Sequence, residues 1–415
     1  MSLRLTTASA LVAFAVFPTR THAELALSLE DAVARAESFS PLVRRTRLER
    51  GVVAATRNGA AILLPSNPAL SGSLGGRTDA SGSLPAAQGL EGALRLEQTV
   101  EIAGQRGKRL DEVAAAVRVA KARERLALVE TRARVRITYL AALIAQTQVD
   151  NARRREDLGH RILDSARARV KAGAASDVEV HLAEVENGRL VADRVDAEIS
   201  EADAAAELRR LLDLPNTPMT LTTKLSRPPL SAQSLAQLLE QARARRADLR
   251  VLDERRSQLD AAVIRLRREV VPNPTLYLDF ARQQPGQTYI GGGISLPIPL
   301  WRRNQGELAV ARAEQELIAG ERALIDSEIG IQVERAQRTS IARDKQTEAW
   351  ERDVVPAAEA NVELVSEGWR AGKFDLFRVI QVTREAGEAH RRQLELLGAV
   401  WQAVVELDRV TGALP

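Results

Sequence analysis

The 415-residue sequence contains no cysteine, and aromatic residues make up only 3% of it. The missing cysteines exclude structural disulfides, and they also exclude the acylated cysteine that anchors exported lipoproteins. So few aromatic residues, beside abundant alanine, leucine, arginine and glutamate, indicate long helices packed on small side chains. The 59 basic and 55 acidic residues form no long block of one sign. We therefore expect no nucleic-acid partner, because such proteins gather basic residues in one patch.

Long apolar runs are also missing from this sequence. The apolar run at residues 10–17 is too short to cross a bilayer, and it lies between Arg4 and a small-residue sequence that ends at Ala23. We predict a signal peptide over residues 1–23, the alternative being a buried N-terminal helix. No later segment reaches the roughly 18 consecutive apolar residues of a transmembrane helix, so any membrane-spanning part would consist of strands.

The chain repeats itself once, at a spacing of about 200 residues. The sequence NPAL at residues 67–70 returns as NPTL at residues 273–276. The sequence RVKAGAASD at residues 169–177 interrupts a long helical pattern, and GWRAGKFDL at residues 368–376 interrupts a second one in the same way. Similarity that extends over half the chain indicates a duplicated unit.

Each repeat has the same predicted order: a helix, a pair of strands, a long helix and a return helix. In the first repeat, residues 24–230, the last three elements cover about residues 67–102, 104–171 and 176–212. In the second repeat, residues 231–415, they cover about residues 274–299, 303–371 and 375–411. At 1.5 Å per residue, each long helix would extend about 100 Å. Pro356 lies inside the second one and should kink it or open it locally.

Short alternating segments follow each Asn-Pro sequence. Apolar and polar residues alternate in residues 90–101, 275–282 and 289–299, and more weakly in residues 69–77. Segments of about ten residues with this period match tilted strands of an outer membrane protein. One such segment would also fit a soluble protein, but four in a repeated order favour membrane strands. Four strands cannot close a membrane barrel, so we expect the chain to oligomerise.

The order of these elements, with NP before the first strand of each pair and AG at each break, resembles the outer membrane efflux protein family of the TolC type. The sequences EIAGQRGKR and SLPIPLWRRNQGE, before the two long helices, look most like the outer-membrane subunits of cobalt-zinc-cadmium type heavy-metal exporters. The resemblance implies a mainly α fold with membrane β: long antiparallel coiled-coil helices form a periplasmic α-barrel. Four strands per chain would contribute to a 12-stranded transmembrane β-barrel in a homotrimer.

The resemblance also implies a function and a set of partners. A periplasmic adaptor (membrane fusion protein) and an inner-membrane pump of the resistance-nodulation-division type would complete a tripartite efflux system. The channel would lie in outer-membrane lipid, extend into the periplasm and passively conduct substrates, with heavy-metal cations favoured. It would have no catalytic residues and no cofactor. The alternatives are an outer-membrane conduit for drugs or secreted protein, and a soluble periplasmic coiled-coil adaptor. An enzyme is disfavoured because no phosphate loop or nucleophile elbow occurs.

The two breaks are predicted to be functional tips, where the family docks its adaptor and closes its channel. The tip glycines permit a tight turn, and Ser176 and Asp375 are placed to cap the returning helices. We expect Leu376 and Phe377 to be exposed and to contact the adaptor, the alternative being packing between neighbouring hairpins. The predicted docking set is Gly173, Ser176, Asp177, Gly372, Asp375, Leu376 and Phe377.

The gate candidates are Glu179, Arg378 and Gln381. Channels of this family often have acids six and nine residues after the second tip glycine, where this chain has Arg378 and Gln381. We therefore do not expect an acidic ring from the second repeat. We predict instead that Glu179 and Arg378 pair across neighbouring hairpins to hold the tip shut. One exposed pair contributes only ~0.2 to 1 kcal/mol, so several such contacts would be needed.

Candidate metal ligands are sparse in the sequence that follows the predicted signal. They are His160, His181, His390 and Met219, and their separations match no metal-ligand spacing. We therefore predict no metal site. A passive conduit has no need for one, because tight binding would prevent a substrate from leaving.

Overall fold

The computed structural model describes residues 25–76, 90–214, 218–284 and 287–414. The predicted signal peptide, residues 1–23, lies outside these ranges, and so do residues 77–89 within the predicted strand pair at about residues 67–102. None of the helices in the described ranges combines the length with the apolar content that crossing a membrane requires.

The order of elements occurs twice along the chain. The first half contains β1 (Leu25–Leu27), α1 (Leu29–Phe39), α2 (Pro41–Ala60), β2 (Ala69–Gly76), β3 (Leu90–Thr99), α3 (Gln105–Lys171) and α4 (Asp177–Leu211). The second half contains β4 (Met219–Leu221), α5 (Leu235–Arg245), α6 (Ala247–Arg268), β5 (Thr275–Gln284), β6 (Gln287–Ser295), α7 (Gln305–Ala349), α8 (Val355–Arg370) and α9 (Leu376–Thr411). This is the predicted fold class, with two structural repeats of long helices and paired strands.

Matching start signals explain why both repeats begin with a short helix. Ser28 Oγ accepts the N–H of Asp31, and the Asp31 carboxylate accepts the N–H of Ser28 in return. Ser234 and Gln237 form the same reciprocal pair at the start of α5. Each pair satisfies two backbone donors that the first helical turn would otherwise leave open.

The four long strands form one antiparallel sheet in the order β2-β3-β5-β6. Residues one apart point to opposite faces, so the register separates an apolar face from a polar one. On the apolar face, the large side chains are exposed: Leu70, Leu74, Leu94, Leu96, Leu276, Leu278, Phe280, Ile290 and Ile294. Within the described residues, β2 and β6 each have one edge without a strand partner.

The largest buried cluster surrounds Tyr139 on α3 and joins it to α1, α4 and the short parallel pair β1–β4. The Tyr139 ring is fully buried, and its hydroxyl donates to the carbonyl oxygen of Leu27 at 2.8 Å. The same hydroxyl lies 3.0 Å from Thr223 Oγ1. A buried tyrosine whose hydroxyl is satisfied in this way fixes the middle of α3 against both ends of the first repeat.

Pro356 opens the second long helix, as the sequence predicts. A π-helical segment, Trp350–Val354, separates α7 from α8 immediately before the proline. There the Val355 N–H bonds to the Trp350 carbonyl, five residues earlier, because the helix is locally widened. The Trp350 indole N–H donates to the carbonyl oxygen of Ala389 on α9 at 3.0 Å. The widened turn is therefore held against the returning helix.

Candidate functional site at the helical tips

Both tips use the same backbone turn. Gly372 adopts a left-handed conformation with φ of 75°, and its N–H donates to the Trp369 carbonyl at 3.0 Å. The next N–H, from Lys373, reaches the Gly368 carbonyl at 2.7 Å. Gly173, with φ of 71°, ends α3 with the same two bonds. This is the Schellman turn, in which glycine avoids the strain of a left-handed side-chain residue.

The two returning helices begin differently. Asp375 caps α9 as predicted, with its Oδ1 accepting the Arg378 N–H at 2.8 Å. Ser176 occupies the corresponding position before α4, but its side chain accepts no capping bond. The predicted side-chain cap at Ser176 is therefore wrong. The Glu179 N–H that would need it already donates to the Ser176 backbone carbonyl at 2.9 Å.

The prediction that Leu376 is exposed is also wrong. Leu376 is 0% exposed, whereas Phe377 beside it is 62% exposed. Consecutive helix positions point about 100° apart, so only one of the two can face the bundle. Leu376 packs in a cluster with Ile162 of α3 and Trp369 of α8, so it joins the two hairpins inside the molecule.

Phe374, which lies within the second tip, is absent from the predicted docking set. Its ring covers Gly368, where an added methyl group would lie 2.3 Å from Phe374 Cδ2. The sequence signal for this contact is the glycine six residues before the aromatic ring. Phe374 and Phe377 are both partly or largely exposed, and Val178 is exposed on the first tip. The tips therefore present separate apolar side chains to their surroundings.

Arg169 of the first hairpin holds the end of the second. Its Nη1 donates to the Trp369 carbonyl oxygen at 2.9 Å, and its guanidinium lies 5.3 Å from the centre of the Trp369 ring. Trp369 is buried by this contact and by the cluster around Leu376. The two tips of one chain therefore form one packed unit.

A buried ion pair links the returning helices further from the tips. Arg384 Nε on α9 donates to Glu186 Oε2 on α4 at 2.9 Å, and a second guanidinium nitrogen contacts the same oxygen. Arg189 adds a bond to Glu186 Oε1 at 3.3 Å. The hydrogen bond to Glu186 raises the pKa of Arg384 above its ordinary value. Two guanidinium groups therefore satisfy both oxygens of a carboxylate that little water reaches.

The predicted gate residues lie close to the tips but do not meet within the chain. Arg378 is exposed, and Glu179 Oε2 is buried with no hydrogen-bond partner in the part of the chain that the structure describes. Gln381 is exposed and donates to Glu385 at 3.2 Å. Among the ion pairs of the described residues, none joins Glu179 to Arg378. Their predicted pairing across neighbouring hairpins stays a prediction for hairpins of different chains. Any role for Asp177, which is exposed in the first turn of α4, also stays a prediction.

A cavity of about 710 Å³ lies above the tips, between α3, α4, α8 and α9. Its lining mixes arginines and acids, and the most buried of these is Arg155. Burial lowers the pKa of Arg155, an effect that Asp193 at 3.5 Å partly opposes. Gly387 leaves room for this side chain, because an added methyl group would lie 3.0 Å from Arg155 Nη1. The cavity is therefore polar and charged.

Within the described ranges, no group of three or more histidine, cysteine or acidic side chains is arranged to hold a metal ion. Each candidate histidine lies near one glutamate: His160 is 3.8 Å from Glu156, His181 is 3.5 Å from Glu184, and His390 is 3.2 Å from Glu359.

The polar face of the sheet carries a fixed group of side chains. Arg95 on β3 bonds to both carboxylate oxygens of Asp279 on β5, at 2.7 and 3.1 Å. The Arg95 guanidinium also lies 4.6 Å from the centre of the Tyr277 ring. Tyr277 faces Gly293 on β6, where a methyl group would lie 2.4 Å from the tyrosine oxygen. The ring therefore lies flat across the sheet, and Arg95 is fixed by two partners.

Comparison with known proteins is consistent with this architecture. No family model matches the sequence. The chain is 29% identical over 340 residues to the cobalt-zinc-cadmium resistance protein CzcC of Cupriavidus metallidurans, which covers 75% of each chain. A crystal structure of CusC is similar to this chain with a TM-score of 0.74 and 15% sequence identity, over 92% of both chains. The CmeC outer membrane channel of Campylobacter jejuni has a TM-score of 0.73 at 14% identity, over 92% of this chain and 85% of that one.

The fold is that of the TolC-type outer membrane channels, with long coiled-coil helices and four antiparallel strands per chain. The predicted resemblance to the outer membrane efflux protein family of the TolC type is supported by the similarity to CzcC and to these channel structures. Channels of this family form trimers, work with an adaptor and a pump in tripartite efflux systems, and are not enzymes. The family resemblance of the sequence is confirmed.

Proposed function

We propose that three copies of this chain form a channel that passively conducts heavy-metal cations out of the cell. The observation that carries the choice of substrate is the similarity to CzcC, a cobalt-zinc-cadmium resistance protein, over three quarters of both chains. The partners would be a periplasmic adaptor and an inner-membrane pump of the resistance-nodulation-division type. The pump, and not this chain, would select the metal, so a lumen without metal ligands is compatible with this role.

The trimer is supported by the two open edges of the sheet. The outer edges of β2 and β6 carry backbone groups that hydrocarbon cannot satisfy. Pairing β2 of one copy with β6 of the next would satisfy them, and three copies with four strands each would close a 12-stranded barrel. A barrel of that size is wide enough to hold water, whereas one of about eight strands is filled by its own side chains.

The adaptor would dock at the tips. The exposed aromatic side chains Phe374 and Phe377 offer apolar contact area there, and the flanking Asp177 and Asp375 offer charge. The predicted docking set stands as a proposal, except that Leu376 acts from inside by holding the tip together. Substituting Phe377→Asp should weaken adaptor binding without unfolding the tip, and an unchanged affinity for the adaptor would count against this surface.

The gate would rest on contacts between neighbouring chains at the tips. We keep the pair Glu179 and Arg378 as a proposal, because the buried Glu179 oxygen has no hydrogen-bond partner among the described residues. Removing both charges should increase single-channel conductance in a planar bilayer. Unchanged conductance would contradict a role for this pair.

The test of the substrate is a deletion strain challenged with cobalt, zinc and cadmium salts and, in parallel, with a panel of drugs. We expect greater sensitivity to metal salts, restored by the intact gene. Sensitivity to drugs alone, or a defect in protein secretion alone, would overturn the metal assignment in favour of another conduit. The native mass of the purified mature protein tests the trimer independently of the substrate.

A further inference from the structure

The apolar face of β6 continues past the end of the strand. The last pair of the β5–β6 ladder is Thr275 with Ser295. Beyond it, the apolar residues still occupy every second position, at Leu296, Ile298 and Leu300, and all three are exposed. Ile298 is 74% exposed, and the adjoining Trp301 is 82% exposed. These exposed apolar side chains lie beyond the end of the strand, so a surface other than this sheet has to cover them.

The backbone of this segment is fixed although no strand among the described residues pairs with it. Pro297 and Pro299 alternate with the apolar residues, and neither has an N–H that would need a partner. The Leu300 N–H donates to the Ile298 carbonyl at 2.9 Å. Gln305 Nε2 donates to the Trp301 carbonyl at 2.8 Å. The tryptophan is therefore presented outward by a defined turn at the start of α7.

The corresponding turn of the first repeat shows that the tryptophan is not needed to form it. There Gln105 Oε1 accepts the Ala103 N–H at 2.9 Å, just as Gln305 Oε1 accepts the Arg303 N–H at 2.7 Å. The residue that corresponds to Trp301 is Glu101, whose carboxylate is bound by Arg109 and largely buried. The turn is common to both repeats, but only the second has an exposed indole there.

Four exposed arginines lie in the two segments that meet at the start of α7, next to the exposed indole in the sequence or on the adjoining helix. Arg302 and Arg303 follow the tryptophan, and Arg267 and Arg268 end the neighbouring helix α6; all four are exposed. Asn304 Nδ2 donates to the Leu266 carbonyl at 3.0 Å, which holds the start of α7 against the end of α6. The positive charge is therefore gathered where the membrane strands give way to the periplasmic helices.

We propose that residues 296–303 are an interfacial anchor that binds phospholipids of the periplasmic leaflet of the outer membrane. The exposed side chains of Ile298 and Leu300 would lie in the acyl boundary and the Trp301 indole at the level of the headgroups, where tryptophan concentrates. Arg302 and Arg303 would bind lipid phosphates, for which the guanidinium geometry is suited. Lipid is the occupant because the segment continues the apolar face of the membrane strands and ends in positive charge.

The first experiment measures what surrounds residue 301. The chain has no cysteine, so Trp301→Cys provides a single attachment point for a nitroxide label. The labelled protein is reconstituted in vesicles of phosphatidylethanolamine and phosphatidylglycerol. We expect the nitroxide at residue 301 to collide more often with oxygen than with a water-soluble nickel chelate. The matched control is Val185→Cys on α4, which is also exposed and should favour the nickel chelate. A label at 301 that behaves like the control, or that is shielded from both reagents, overturns the proposal.

The second experiment tests the charge. Wild-type protein should unfold at a higher temperature in vesicles that contain phosphatidylglycerol than in vesicles of phosphatidylcholine alone. The double variant Arg302→Gln/Arg303→Gln should lose most of this shift. The control is the double variant Arg123→Gln/Arg125→Gln. Both arginines are exposed on α3, and Arg123 lies about 27 Å along the helix axis from Gln105, the first residue of α3. An equal shift in both double variants would contradict headgroup binding by Arg302 and Arg303.

Discussion

Arg384 on α9 donates to the carboxylate of Glu186 on α4, and only 7% of that carboxylate side chain is exposed. The bond joins the return helix of the second hairpin to that of the first. Because little water reaches the Glu186 carboxylate, Arg384 and Arg189 supply its hydrogen bonds in place of water. The pair therefore fixes how the two hairpins of one chain sit against each other above the tips.

We predict that Arg384→Met destabilises the mature protein by about 1 to 3 kcal/mol, measured by chemical unfolding in detergent. The expected cost lies below that of a fully unpaired buried charge, because Glu186 keeps its bond to Arg189. In a double-mutant cycle, Arg384→Met should cost much less stability when Glu186 has already been replaced by Gln.

The matched control for this pair is Arg392→Met on the same helix. Arg392 pairs with Glu395 at 2.8 Å, but both side chains are about half exposed. An exposed pair three residues apart contributes only about 0.2 to 0.5 kcal/mol. If Arg392→Met and Arg384→Met lower the free energy of unfolding equally, the burial of Glu186 does not explain how the pair between hairpins stabilises the protein.

Close packing of α3 on α4 depends on Gly159. An added methyl group would lie 2.6 Å from Leu190 Cδ1 and 3.3 Å from Asn187 Oδ1. Gly159→Ala should therefore destabilise the protein by about 1 kcal/mol, since overpacking costs roughly 1 to 3 kcal/mol and alanine recovers about 1 kcal/mol of helix propensity. Gly188→Ala on α4 has no atom within 4 Å and should instead stabilise by about 0.5 to 1 kcal/mol. Thermal unfolding of both variants should show opposite signs, and equal shifts would contradict the packing argument.

The sequence predicts the fold better than it predicts the contacts between hairpins. The alternation in β3 and β5, the paired Asn-Pro signals and the two AG turns are local patterns, and each corresponds to an observed element. Glu179 and Arg378 stand at equal distances from their glycines but do not meet within one chain, whereas Glu186 and Arg384 do. Which side chains meet depends on how far α4 and α9 are rotated towards each other, and one helix pattern does not determine that.

Leu376 and Phe377 illustrate the same limit at the level of adjacent residues. Both are large and apolar, and both follow the capping residue Asp375, so composition does not separate them. The bundle buries the first and leaves the second exposed because Trp369 and Ile162 occupy one side of α9.

The second tip should be sensitive to a side chain at Gly372 for conformational reasons alone. No atom lies within 4 Å of the place a Cβ would occupy, but φ is 75°. Gly372→Ala should cost about 1 to 2 kcal/mol, and Gly372→Asn should cost less because asparagine tolerates this conformation. Hydrogen exchange of the Lys373 amide, which bonds to Gly368, reports local opening of the turn. Equal exchange rates in the alanine and asparagine variants would show that backbone strain is not the cause.

Arg95 and Asp279 should set the ion preference of the pore from the polar face of the sheet, if that face lines the lumen of the proposed trimer. The two groups neutralise each other at 2.7 Å, while Glu97 on the same face of β3 adds negative charge nearby. Arg95→Gln removes the positive partner, so the permeability ratio of cations to anions should increase. Asp279→Asn leaves Arg95 charged and should decrease it. Zero-current potentials across a planar bilayer with a potassium chloride gradient measure both changes. Shifts of the same sign would place this pair away from the conduction path, because opposite changes in lumen charge must move the potential in opposite directions.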